Sequence, residues 1–192
     1  MSTDTRDALL DAAAELLTSA PYDEVSVRAV RAAAGANPAA VHYHFGSKEK
    51  LVAALLEDRF AATWTASLDG LAATPTGVAE IVDAILDPIV ALQADASSAP
   101  GLRLLAQFAA AHPATAWTRP WFRFDNWVDL LTATVPGLDP ATARRRWRFA
   151  FTVLIAELAA PRPVSAAAIA ALREFLTAGL AGPAAPNGSP TP

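Results

Sequence analysis

Between Gly35 and Lys48 the chain reads Gly-Ala-Asn-Pro-Ala-Ala-Val-His-Tyr-His-Phe-Gly-Ser-Lys, and this stretch constrains the fold more than any other. Gly35 stands where a helix needs a left-handed C-cap, Asn37 is a strong N-cap, and Pro38 suits a first helical position. Phe45-Gly46-Ser47 then stops the new helix after about two turns. A helix this short is marginal by itself, so its outer residues call for an explanation other than core burial. Val41 and Phe45, four apart, share the inward face. Ala39 and Tyr43 lie opposite, with Ala40 beside them and His42 and His44 on the flanks.

The surrounding sequence is helical throughout. Asp4 or Thr5 caps a first helix with the stripe Leu9, Leu10, Ala13, Leu16 and Leu17, ending before Pro21. Ser26 caps a second, with Val27, Val30 and Ala34 inward and Arg28 and Arg31 outward. Ser47 caps a fourth, running through Leu51, Leu55 and Phe60 towards Ser67. Beyond the loop at residues 72–76, a helix with Ile81, Ile85 and Ile89 carries Pro88, which predicts a kink. Leu102–Ala111 forms the next, closed by His112-Pro113. An aromatic segment spans Trp117–Thr134. Asp139-Pro140 opens a long helix to Ala159, and Ser165 opens the last, closed by Gly182-Pro183. No strand-like alternation survives. The expectation is an all-α chain: a three-helix unit at 1–47, a larger helical domain at 48–182, and a disordered tail at 183–192.

Several classes are excluded or disfavoured. The 192 residues contain no cysteine, which removes disulfides and thiolate metal sites. No apolar run is long enough to span a bilayer, and acids stand where a secretory signal would be basic. These features point to a soluble cytoplasmic protein without a membrane partner. His42 and His44 are spaced two apart and diverge on a helix, so no metal and no cofactor is expected. His112 beside Pro113 reads as a helix-end residue. Arg144, Arg145, Arg146 and Arg148 are spread around a helix and read as a solvated face.

A short exposed helix held by a glycine turn against a longer one is the helix-turn-helix arrangement that reaches into the major groove of duplex DNA. Ala39 and Ala40 let the backbone approach base edges and offer methyls to thymine. His42, Tyr43 and His44 can donate to phosphate oxygens. Ser26 and Arg28 precede this helix and Lys48 follows it, each placed to clamp phosphate. The net charge is −4, yet Val25–Lys48 holds no acid, only Arg28, Arg31 and Lys48, so the local field is positive.

These residues carry a resemblance. Ser26–Leu51, above all Ala34-Gly35-Ala36-Asn37-Pro38 and Tyr43-His44-Phe45-Gly46-Ser47-Lys48-Glu49-Lys50-Leu51, resembles the DNA-binding domain of TetR-family (tetracycline-repressor-like) transcriptional regulators, from about Thr5 to Phe60. The resemblance implies a homodimeric, ligand-responsive regulator, most often a repressor, on a palindromic operator. The family usually has a Tyr pair before the His, and here the first is His42, which makes DNA affinity pH-sensitive.

Beyond that domain the aromatic segment is the main signal. Trp117, Trp121, Phe122, Phe124 and Trp127 crowd within eleven residues, with Trp64 and Phe108 elsewhere. Core burial explains several of them. With the resemblance, the cluster implies a pocket for an apolar or aromatic effector, lined by Trp64, Phe108, Trp117, Trp121, Phe124 and Trp127. Arg103, Gln107, Arg119 or Arg123 would supply a polar contact to a ligand carboxylate. The resemblance also implies dimerisation through the last two helices, by Phe151, Ile155, Leu158, Ile169, Leu172 and Leu176, although each stripe suits the chain's own core equally. The alternative is a helical-bundle enzyme acting on a lipophilic small molecule. No Glu-x-x-His pair, phosphate loop or nucleophile–base set supports it.

Overall fold

The computed structural model describes residues 2–74, 77–160 and 162–183, with the side chains of residues 2 and 3 left aside. Among the described residues there are nine α-helices and no strand: α1 (Ser2–Ser19), α2 (Val27–Ala33), α3 (Ala40–Phe45), α4 (Lys48–Ala73), α5 (Val78–Ala94), α6 (Ala99–Ala111), α7 (Phe124–Thr134), α8 (Pro140–Ala159) and α9 (Ala166–Ala181). Single 3-10 turns stand at Tyr22–Glu24 and Pro120–Phe122. The all-α expectation is met. The expected tail lies, beyond Pro183, outside the described residues.

Local chemistry places the helix starts. Ser26, Ser47, Asp139 and Ser165 each accept a hydrogen bond from the backbone N–H three residues on, at 2.9–3.2 Å. Such caps satisfy donors that a helix start leaves open and contribute about 0.5–2 kcal/mol each. Two boundaries differ from the sequence reading. Helix α1 already includes Asp4 and Thr5, since nothing before them breaks a helix. Helix α4 runs past Ser67 to Ala73 and ends where Thr74, preceding Pro75, is extended at φ −131° and ψ 139°. Helix α5 continues through Pro88.

Helix α4 is the spine. It packs against α1 and α3 near its start and also against α5 and the Pro120–Phe122 turn. One continuous core runs from Leu9 in α1 to Leu180 in α9. The remaining helices are cross-braced. Arg173 of α9 pairs with Asp83 and, at 2.7 Å, with Asp87 of α5. Arg146 of α8 donates to the carbonyls of Leu180 and Ala181 at 2.8 and 2.9 Å, satisfying the open C-terminus of α9.

The stripes on α8 and α9 face inward. Leu158, Ile169, Leu172 and Leu176 are buried within the single chain, and Phe151 and Ile155 are half-buried against its core. The four buried residues are therefore not a free dimer surface: the inner faces of α8 and α9 are occupied by α5, α6 and α7. The large apolar side chains that the two helices leave in solvent are Phe149, 62% exposed, and Phe175, 58% exposed. Exposed Ala171, Ala178 and Gly179 share the face of α9 around Phe175.

Candidate nucleic-acid interface and the aromatic region

The turn between α2 and α3 is set by Gly35 at φ +61°, a conformation that a Cβ makes costly. Its backbone closes through Gly35 N–H to Ala32 O at 3.2 Å and Ala36 N–H to Arg31 O at 3.0 Å. Asn37 Oδ1 then accepts from Ala39 N–H at 3.0 Å within the turn ahead of α3, whose N-cap is Ala39 without a side-chain bond, so Asn37 and Pro38 stand before the helix and not at its cap and first position as expected. Gly46, at φ +79°, ends α3 by donating to Val41 O and His42 O.

Helix α3 packs on α1, α2 and α4. Val41 and Phe45 are buried as expected, and so is Ala40, only 3% exposed. Contact with three helices takes in a wider arc than one stripe, so Ala40 cannot offer its methyl to a base, contrary to the sequence reading. Val27 also departs from its inward assignment and is exposed. The outer surface holds Pro38, Ala39, His42 and Tyr43, and Tyr43 is 80% exposed. The Tyr43 ring stands edge-on to half-buried His44 at 5.0 Å. His42 Nδ1 lies 3.1 Å from Gly46 O. In the tautomer that donates from Nδ1, Nε2 of the neutral ring faces out as an acceptor.

The cations divide. Ser26 caps α2 and is exposed with Arg28, which has no bonded partner among the described residues. Arg31 reaches back to Ala36 O at 3.4 Å. Lys48, expected at phosphate, turns inward: Nζ donates to Tyr22 O at 2.6 Å and sits 3.9 Å from the Tyr22 ring centre. An ammonium so engaged braces α4 on the loop before α2. Exposed Lys50, two residues on, is the cation there without a bonded side-chain partner among the described residues. Burial, helped by the Glu49 and Asp23 carboxylates, pushes the Tyr22 phenol above its ordinary range.

Tyr22 also touches the far helices. Its ring is edge-on to His112 at 4.7 Å and to Phe108 at 5.4 Å, and His112 stacks on Phe108 at 4.5 Å. The loop after α6 is held to α4 by carboxylates. Thr115 donates to Glu49 at 2.8 Å, and Arg119 pairs with Asp58 at 3.0 Å, which also binds Arg6 of α1. Glu57 is the centre of this set and was missed from sequence. It interrupts the apolar stripe Ala53, Leu56, Phe60 of α4, a signal that an inward carboxylate must have built-in donors.

The aromatic residues fill one another's space. Phe108 meets Trp117 at 5.9 Å, Trp117 meets Phe122 at 5.1 Å, and Phe122 meets Trp64 at 6.5 Å. A second chain of rings runs Trp121, Trp127, Trp147 and Phe151, with Phe124 at its edge. Trp64, Trp121 and Trp127 donate to Ile85 O, Asp69 and Trp121 O. Ring packs on ring where the effector pocket was expected. Two hollows of about 20 Å³ each lie elsewhere, one between α1, α4 and α6 and one beside Arg103 and Leu158. Each has room for roughly one water. Gln107 is exposed and donates to Ala159 O, Arg119 is paired with Asp58, and exposed Arg123 precedes α7, so the proposed polar contacts do not converge. No group of three or more metal-ligating side chains occurs among the described residues. No helix among them is long and apolar enough to cross a membrane.

Residues 9–55, which hold α2, the turn and α3, match the family described as bacterial regulatory proteins, tetR family. The fold is similar to a crystal structure assigned to TetR-family transcriptional regulators, from Mesorhizobium loti MAFF303099. The TM-score is 0.51 and the identity 18%, over 94% of this chain and 95% of that one. A gamma-butyrolactone receptor (ArpA-like protein) aligns at TM-score 0.44 and 17% identity, over 94% of this chain and 96% of that one. No curated protein matches the sequence. The glycine turn and the exposed face of α3 thus lie within the segment, 9–55, that matches the tetR family of bacterial regulatory proteins, on a chain whose described residues are otherwise helical or in turns and loops.

Proposed function

We propose that the protein is a cytoplasmic, homodimeric repressor of transcription that binds a palindromic operator and leaves it when an apolar or aromatic small molecule binds. The observation that carries this reading is the surface of α3. Tyr43 stands almost wholly in solvent above a fully buried Val41 and Phe45, so a well-anchored helix presents a hydrogen-bonding ring outward. Residues 1–47 would read DNA, with Ser26, Arg28, Asn37, Pro38, Ala39, His42, Tyr43 and His44 at the duplex. Residues 48–182 would dimerise and bind the effector.

Palindromic operators require a two-fold partner. Exposed Phe149 on α8 and exposed Phe175 on α9 support these helices as the contact, the latter because Ala171, Ala178 and Gly179 around it allow close helix approach. No nucleophile–base pair supports catalysis, so the molecule is read as a regulator and not an enzyme. The test is selection of bound sequences from random duplex DNA. A palindromic consensus bound with a steep salt dependence is expected. Absence of any enriched sequence would overturn the reading.

A further inference from the structure

Trp147 of α8 is 1% exposed, and its indole nitrogen is the one buried side-chain polar atom among the described residues without a hydrogen-bond partner. The indoles of Trp64, Trp121 and Trp127 all have acceptors. A buried donor without an acceptor forfeits its hydration and regains nothing. A phenylalanine would supply the same stacking without that loss, so the N–H itself invites a function.

Its surroundings are rings. Trp147 stacks on Phe151 at 5.1 Å and lies 5.0 Å from Trp127. Half-buried Phe151 in turn meets half-buried Phe124 at 6.0 Å, which leads from the orphan donor to the surface. At the outer edge stands Arg144, 5.4 Å from the Phe124 ring centre and paired with Asp125. Both members of that pair are largely in solvent, where such pairs hold weakly. Phe124 is also the first residue of α7, at the end of a long connection from α6.

We propose that Trp127, Trp147, Phe151 and Phe124 form the effector site, opened by displacement of Phe124 and Phe151. It would take a compact, mainly apolar molecule with an uncharged acceptor such as a ketone or ester carbonyl, held by the Trp147 N–H. A carboxylate does not suit it, since Arg144 stands at the outer edge, already paired with Asp125, and a carboxylate at the Trp147 N–H would be buried unpaired. This deepens the ligand-responsive reading and rests on it only for the consequence at DNA.

The test uses a matched pair, 1-indanone and indane, which share size and shape and differ in the carbonyl. The full chain, labelled with 15N at its five tryptophans, gives one indole N–H resonance per residue, and Trp147→Phe identifies that of Trp147. The expected result is that 1-indanone moves the Trp147 resonance and binds about fivefold tighter than indane, the weight of one net hydrogen bond. That preference should vanish in Trp147→Phe. Equal affinity for the two probes overturns the site, as does an unmoved Trp147 resonance or a preference that persists in the variant. If Trp147→Phe does not fold, sequential assignment of the native resonance decides the first two outcomes. Operator affinity is read separately by anisotropy of a selected duplex. If 1-indanone leaves it unchanged while moving Trp147, the site stands and the ligand-responsive reading falls.

Discussion

Thr118 donates both its backbone N–H and, at 2.6 Å, its hydroxyl to the carboxylate of Glu57, a residue only 4% exposed. Arg119 N–H adds a third bond at 2.7 Å. One side chain on α4 thereby fixes the connection between α6 and α7, the same connection that brings His112 against Tyr22, ahead of α2.

Removing this carboxylate should loosen the connection. Glu57→Ala leaves two backbone donors without their acceptor, for an expected cost of about 1–3 kcal/mol. Chemical denaturation measures the loss. Hydrogen exchange should show it concentrated at residues 113–119, and uniform exchange along the chain would refute a local clamp.

Tyr43 and Phe45 lie two apart and should behave oppositely. Tyr43→Ala should abolish tight DNA binding while changing stability by less than about 0.5 kcal/mol, as exposed substitutions do. Phe45→Ala removes a buried ring, with an expected cost of roughly 3–5 kcal/mol. Thermal unfolding beside DNA titration separates the two. A strongly destabilised Tyr43→Ala would mean that α3 is rotated from the orientation described.

The inward turn of Lys48 changes what its removal should do. Lys48→Ala is expected to cost about 1–2 kcal/mol of stability, from the lost carbonyl bond and cation–π contact, with little change in the salt slope of DNA binding. Arg28→Ala should leave stability alone and lower that slope by about one unit. Affinities measured over a range of salt concentrations decide between these two behaviours.

His42 is exposed, and its Nδ1 lies 3.1 Å from Gly46 O, which with Nδ1–H donating leaves Nε2 outward. His42→Ala should weaken operator affinity while changing stability by less than about 0.5 kcal/mol. DNA titration beside thermal unfolding checks this, and an unchanged affinity would remove His42 from the duplex contact.

For the dimer, the outward rings and the inward leucines give opposite expectations. Phe175→Glu should yield folded monomers at micromolar concentration, seen by sedimentation with a nearly unchanged melting temperature. Leu172→Glu should unfold the chain instead, because it places a charge in the single-chain core. A Phe175→Glu protein that stays dimeric would remove that face as the contact.

The sequence by itself determined the helices and the glycine turn that joins α2 to α3. Ser26, Asn37, Ser47, Asp139 and Ser165 satisfy backbone groups within three residues of themselves, and Gly35 and Gly46 meet a purely local need for positive φ, so a single strand of text carries that information. The outward place of Tyr43 followed from helical spacing alone. Tertiary structure decided everything that depends on which apolar face meets which. Ala40, Leu158, Leu172 and Leu176 are the same methyl and isobutyl groups at an interface or in a core, and only the arrangement of neighbouring helices chose the core. The same holds for Lys48, whose partner Tyr22 lies 26 residues away, and for the aromatic region, where ring-on-ring filling of space rather than composition set whether a pocket exists. Hydrophobic burial is non-directional, so its pattern along a chain marks what is hidden and leaves the hiding partner to the fold.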